Sequence, residues 1–243
     1  MRKLIPAALI SFFLFQMAAF ANAATGVTIP SVQSLPGWQS CGSCAGKGGT
    51  GPEVPHTMTP NIKSPSMDSK AAQFWLGGSS KTPYANALFF NPDLAPAVSA
   101  NNFKLDFYLY IGDPTKAQAI EMDIFYSRGG HKNYFLTECD TNGTHAGTWQ
   151  VSNAVIDTWQ HTGLPCHMKS YAWNHVVLQF FRNSDGSTKF VSVSMNGDMH
   201  YVNHTYPARS VSSFEMNPAI QLDGNSHQDN FSVWVDKMNV TYW

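Results

Sequence analysis

Residues 121–128 read Glu-Met-Asp-Ile-Phe-Tyr-Ser-Arg. Two carboxylates two positions apart on an apolar run are half of what cleavage of a glycosidic bond needs. One carboxyl attacks or activates water while another protonates the leaving oxygen. Retaining glycosidases hold the two groups about 5–5.5 Å apart across the bond. On a strand, side chains at i and i+2 share a face about 6.5–7 Å apart, so Glu121 and Asp123 need a third group. Other chemistries find less. There is no G-x-S-x-G elbow for a Ser-His-Asp triad. The nine histidines are scattered, with no H-x-H or H-E-x-x-H pattern, and His200 and His204 at a spacing of four do not make a ligand set. The oxygen-rich stretch Asp223-Gly-Asn225-Ser-His-Gln-Asp229 admits Ca2+ as the one weak cofactor candidate, although turn formation explains those residues better.

The elements around these residues are strands. Phe103, Leu105, Phe107 and Leu109 alternate with Lys104, Asp106, Tyr108 and Tyr110. Ile120, Met122 and Ile124 alternate with Glu121, Asp123 and Phe125. Val176, Leu178 and Phe180 alternate with His175, Val177, Gln179 and Phe181, and Ile220 and Leu222 with Gln221 and Asp223. A period of two means one buried and one outward face. Asn196-Gly197 is a two-residue hairpin signal. Further strands are expected in "AAQFWLGG", "NALFFNPD" and "SVWVDKMNVTYW", and the one helical turn around residues 115–119. Many short antiparallel strands predict an all-β sandwich.

The N-terminus carries Arg2 and Lys3, an apolar run from Leu4 to Phe20, and Ala21-Asn22-Ala23. That order is a secretory signal peptide over residues 1–23, predicting a secreted protein with no membrane insertion after cleavage. Residues 24–66, rich in Gly, Pro, Ser and Thr, read as an irregular arm, and residues 67–243 as the sandwich domain. A net charge of -1 with 13% charged residues excludes the basic face that nucleic acid requires. The four cysteines in an exported chain form two disulfides, with Cys139–Cys166 and Cys41–Cys44 preferred among three connectivities. "CGSC" does not open a helix, so redox chemistry is not expected. The second cysteine pair lacks zinc-ligand spacing. Four Asn-x-Ser/Thr sequons, at Asn142, Asn203, Asn230 and Asn239, are read as chance. Trp149, Trp159 and Trp173 are read as core or loop anchors.

Three stretches resemble the concanavalin A-like lectin/glucanase superfamily. "AWNHVVLQFFRNSDGSTKFVSVSMNGDMH" is similar to the laminin-G-type strand–turn–strand. "SVWVDKMNVTYW" resembles the closing strand with its apolar-Asp-apolar pattern, and "AIEMDIF" the catalytic strand of family 16 glucanases. The resemblance implies a jelly roll over residues 64–243. In the family 16 pattern Glu121 matches the nucleophile and Asp123 the assisting carboxylate. The acid/base glutamate falls on Phe125 or, with a bulge, on Tyr126, neither of which can protonate a glycosidic oxygen at neutral pH. A distant carboxylate such as Asp106, Asp223 or Glu138 could supply the acid, and no sequence pattern favours one. Tyr126, Arg128, His131 and Tyr134 could serve a polysaccharide lyase, but the alginate lyase signatures are absent.

The expectation is therefore non-catalytic binding of a polysaccharide or glycoconjugate. Tyr108, Tyr110, Glu121, Asp123, Phe125, Gln179, Gln221 and Asp223, with Asp106, are expected to line one concave surface. There, rings stack on sugar C–H groups and amides and carboxylates pair with hydroxyls. The alternatives are a glycan-cleaving enzyme, hydrolase or lyase, and a structural envelope or adhesion module.

Overall fold

Residues that alternate apolar and polar must bury every second side chain, and two such sheets satisfy each other face to face. The computed structural model describes residues 26–42, 44, 53–92, 94 and 99–243; the expected leader lies outside them. The first sheet runs β13 (Asp198–Tyr206), β12 (Thr188–Met195), β11 (Ala172–Arg182), β6 (Asn102–Ile111), β16 (Phe231–Tyr242), β4 (Ala71–Leu76) and β3 (His56–Ile62), with β1 (Val27–Ile29) added to β16. The second runs β10 (Thr158–Pro165), β9 (Thr148–Asn153), β8 (His131–Asp140), β7 (Ala117–Arg128), β15 (Glu215–Gly224), β5 (Asn86–Phe90) and β2 (Gln39–Cys41), with β14 (Arg209–Ser210) added to β8.

The expected all-β sandwich is what forms. Rings from opposite sheets meet in its middle: Phe103 lies 4.6 Å from Tyr126 and 5.3 Å from Phe135, Phe180 stacks on Phe135 at 5.0 Å, and Phe74 meets Phe89 at 5.2 Å. All are buried, and each such side chain contributes roughly 1.5–3 kcal/mol of burial. The Asn196-Gly197 hairpin joins β12 to β13, with both residues at positive φ. Both disulfides form as preferred, Cys139–Cys166 with Cα atoms 5.8 Å apart and Cys41–Cys44 with 5.6 Å. The helical turn is a 3-10 turn at Pro114–Lys116, and residues 117–119 already belong to β7.

The arm departs from expectation. Among the described residues of this segment, Val27–Ile29, Gln39–Cys41 and His56–Ile62 supply β1, β2 and β3 to the two sheets, so strands of the sandwich precede residue 67. Short edge strands are held by backbone hydrogen bonds and need no strict alternation, which is why pattern reading passes over them. Side chains fix the arm further. Gln33 is fully buried; its Nε2 donates to the Lys70 carbonyl at 3.1 Å and its Oε1 accepts from Met238 N at 2.9 Å.

Asp236 makes the other tie. It sits at a register break in β16, buried, and accepts from Ser66 Oγ (2.7 Å), Met67 N (2.6 Å) and Lys237 N (2.8 Å). Burial alone would raise its pKa; these donors outweigh it and hold the carboxyl below the usual aspartate value. Asp236→Ala is expected to lower the unfolding free energy by about 2–3 kcal/mol at pH 7, measured by guanidinium titration. A depressed carboxyl stabilises above its unfolded pKa, so the wild-type advantage should vanish as the pH falls through the folded value.

Candidate functional site

The outward face of the second sheet gathers the acids. Strand register places Gln221, Glu121, Glu138 and Gln150 in one row across β15, β7, β8 and β9. Ala219, Asp123 and Leu136 form the next row, and Asn217, Phe125 and Tyr134 the one beyond. On the other flank Ala119 separates Asp223 from Asp140. Although outward, these groups are covered: Glu121 is 6% exposed, Asp123 1% and Glu138 6%.

A cleft of about 330 Å³ opens over this face. Glu121, Asp123 and Gln221 reach it from the sheet, Phe125, Tyr134 and Trp159 contribute rings, and Arg209 and Asp157 stand together on its border. Cys44 also lines it, because Cys41 in β2 pairs with Leu88 in β5, the neighbour of Gln221. The Arg209 guanidinium lies 5.2 Å from the Tyr134 ring centre.

Amides bind the acids to one another. Gln221 Nε2 donates to Glu121 Oε1 and, at 3.0 Å, to Asp223 Oδ1. Gln150 Nε2 donates to Glu138 Oε1 at 2.6 Å. Asp123 Oδ1 accepts from Thr137 N at 3.2 Å, while its buried Oδ2 has no hydrogen-bond partner among the described residues. One oxygen each of Glu121, Glu138 and Asp223 lies within 4.8 Å of the others, a spacing at which three hard oxygen donors could also hold a cation.

Burial and mutual repulsion set the protonation. Burial raises Glu121 well above the usual glutamate value, and the charges of Asp223, Asp123 and Glu138 add to it. Burial likewise raises Asp123, against the opposing Thr137 hydrogen bond. Glu138 is pushed to about 9 by burial and by the charges of Asp223, Asp140 and Asp123. Asp223 rises only to about 6, because hydrogen bonds from Glu121, Gln221 and Asn86 oppose its burial. At neutral pH the cluster therefore places a protonated Glu138 beside the more readily ionised Asp223. This is the acid-and-anion division that acid–base chemistry on glycosides uses.

The structure brings together Glu121, Asp123, Phe125, Gln221 and Asp223 but not the rest of the expected surface. Tyr108, Tyr110, Gln179 and Asp106 lie on β6 and β11, on the outward face of the first sheet, at the opposite side of the sandwich. Alternation separates inward from outward without saying which sheet a strand joins. Tyr108 stacks on His175 at 4.5 Å, His175 Nε2 meets Asp106 at 2.9 Å, and Gln179 Oε1 accepts from Ser192 Oγ. The suspected lyase cluster also disperses: Tyr126 points into the core and His131 packs over Gly186. Beyond the end of β15, Asn225 Oδ1 accepts from His227 N and its Nδ2 donates to the Thr115 carbonyl, and Asp229 is exposed. Asp223 itself belongs to β15 and groups with Glu121 and Glu138.

Sequence reading offered Glu138 only as one of several distant carboxylates, assigned Tyr134 and Trp159 to other roles, and missed Gln150 and Arg209 as neighbours of this cluster. A signal existed. Gly129 and Gly130, both at positive φ, make a two-residue turn closed by the Arg128–His131 pair. Counting back from it puts Glu138 opposite Glu121, a second Glu-x-Asp beside the first.

No family model matches the chain, and no curated protein matches it. Among solved structures it is similar to peanut lectin with a bound peptide (12% identity, TM-score 0.47, 90% of this chain and 98% of that one). It is also similar to the Emp47p carbohydrate recognition domain (9%, 0.47, 86% and 89%). A further neighbour comes from a study of carbohydrate-binding modules of the β-sandwich superfamily (10%, 0.45, 85%), and this chain spans 57% of that protein's length. The sandwich itself rests on the chain's own strand order.

Groups with raised pKa values keep protons that the unfolded chain gives up. Stability is accordingly expected to fall as the pH rises from the ordinary glutamate value of 4.5 toward about 9, by up to about 1.4 kcal/mol per pH unit for each such proton. Guanidinium unfolding across this range checks it. Glu138→Gln should flatten the slope and raise stability at pH 8, and equal slopes would exclude the shared-proton arrangement.

Proposed function

We propose that the protein is exported and binds a polysaccharide or glycoconjugate in the cleft over the second sheet, without needing to cleave it. The observation that carries this reading is the convergence of Glu121, Asp123 and Gln221 with the rings of Phe125, Tyr134 and Trp159 around one cleft of about 330 Å³. Rings offer flat faces to sugar C–H groups, while carboxyl and amide groups pair with hydroxyls and fix orientation. Asp123 Oδ2, buried without a partner, is an acceptor that a sugar hydroxyl would satisfy. Export is supported by the N-terminal leader pattern and by two disulfides. Among the described residues no helix is long and apolar enough to cross a membrane.

Cleavage is the second reading, favoured by the 4.8 Å limit on the Glu121, Glu138 and Asp223 oxygens. β8 delivers beside Glu121 the carboxyl that β7 lacks at Phe125 and Tyr126. A protonated Glu138 could serve as the acid and an ionised neighbour as the base or nucleophile.

A glycan array and a reducing-sugar assay run on the same preparations separate the readings. Wild type should bind at least one glycan and release no product. Trp159→Ala should weaken that binding roughly 3- to 10-fold, the range for one stacking ring. Product formation that disappears in both Glu121→Gln and Glu138→Gln would replace binding by hydrolysis. No binding by wild type would reject both.

A further inference from the structure

The first sheet also carries a built recess on its outward face, remote from the acids. Ser232 pairs with Trp75, and the Val233–Ile111 pair places Ser232 beside Gly112. Two of the smallest side chains thus lie side by side, and rings surround them. Trp75 stands on one side, Trp234 rises from the next row of the face, and Tyr171 closes the far side. The result is a trough of about 390 Å³, within the range of small-ligand pockets.

Both flanking rings lie close against glycines, whose lack of a side chain leaves room for them. A Cβ on Gly77 would come within 2.7 Å of the Trp75 indole, and one on Gly112 within 3.3 Å of the Tyr171 ring. Tyr171 is costly on two counts: it is 76% exposed and its backbone sits at φ 53°. A bulky residue in that region persists only where its surroundings hold it; here its N–H donates to the Ile111 carbonyl at 2.9 Å. From the trough the platform continues along the sheet, with Trp234 5.7 Å and Trp173 5.5 Å from Tyr110.

The rim defines the occupant's chemistry. Asp113 and Lys116 cancel in charge, while Asn230 and Ser232 add hydrogen-bonding groups. Flat rings around a small, neutral, hydroxyl- and amide-bearing floor suit a pyranose, whose faces are C–H and whose edges are hydroxyls. A purely apolar ligand would leave those polar groups unpaired, and an ionic one would meet no net charge.

We infer that the Trp75–Trp234–Tyr171 trough is a second, independent binding site for a neutral oligosaccharide chain, on the opposite side of the sandwich from the acidic cleft. It does not depend on the cleft binding glycan.

The test uses calorimetry and tryptophan fluorescence with cellotetraose, xylotetraose, mannotetraose and laminaritetraose. Wild type, Glu121→Gln, Tyr171→Ala and Trp75→Ala are compared after matched melting curves show intact folding. At least one tetraose should bind Glu121→Gln as it binds the trough in wild type. Tyr171→Ala and Trp75→Ala should each weaken that binding roughly 3- to 10-fold. The inference is overturned if Glu121→Gln binds none of the four, or if Tyr171→Ala leaves affinity unchanged. It also fails if sedimentation finds wild type self-associating and Tyr171→Ala monomeric, because a second copy would then occupy the trough. Loss of binding in Glu121→Gln alone would leave the cleft reading standing and remove this one.

Discussion

Glu121, Asp123, Glu138 and Asp223 share the outward face of three neighbouring strands, where burial and mutual repulsion forbid all four from being ionised together. Much of the second sheet is arranged around that constraint. Gln221 and Gln150 lie in the same cross-strand row as the glutamates and give them N–H donors. Asp140, at the edge of the group, accepts from Gly143 N and His145 N in the loop before β9 and also from Gln150 Nε2, the amide that serves Glu138. Ala119 keeps Asp223 and Asp140 from direct opposition. Beneath them Ile120, Met122 and Ile124 are fully buried.

The two sheets present different chemistry outward although they share one core. The second sheet offers acids, amides and rings in a covered cleft. The first offers rings in open rows with few charges, beginning at the trough and ending at the Tyr108–His175 stack above Asp106. The rings that pack between the sheets come from the inward faces, not from either outward face. The Cys41–Cys44 disulfide belongs to the acidic side, where it brings Cys44 to the cleft wall.

The sandwich was legible because β6, β7, β11 and β15 alternate cleanly, and because Asn196-Gly197 and the cysteines carry local, chain-intrinsic signals. Half of the acidic cluster was legible for the same reason: Glu121, Asp123, Gln221 and Asp223 were all assigned outward. What was hidden is pairing between strands. β8 breaks alternation, since Asn133 and Thr137 point inward while Leu136 points outward, so its Glu138 carried no strand signal. Asn133 is tolerated inside only because its Nδ2 donates to the Gly186 carbonyl and Thr188 Oγ1. The partition of Tyr108, Tyr110 and Gln179 from Glu121 was likewise beyond pattern, because sheet membership is decided by long-range contacts.

The tie between Asp236 and the Ser66–Met67 segment belongs to a wider circumstance: β16, the last strand of the sandwich to be synthesised, lies at the middle of the first sheet, between β6 and β4. Until it emerges, β6 and β4 each present an open edge and the core lacks Val233, Val235 and Val240, which are fully buried once the strand is in place. The same order makes premature termination hazardous, because a chain cut short before residue 231 exposes two unpaired strand edges at once.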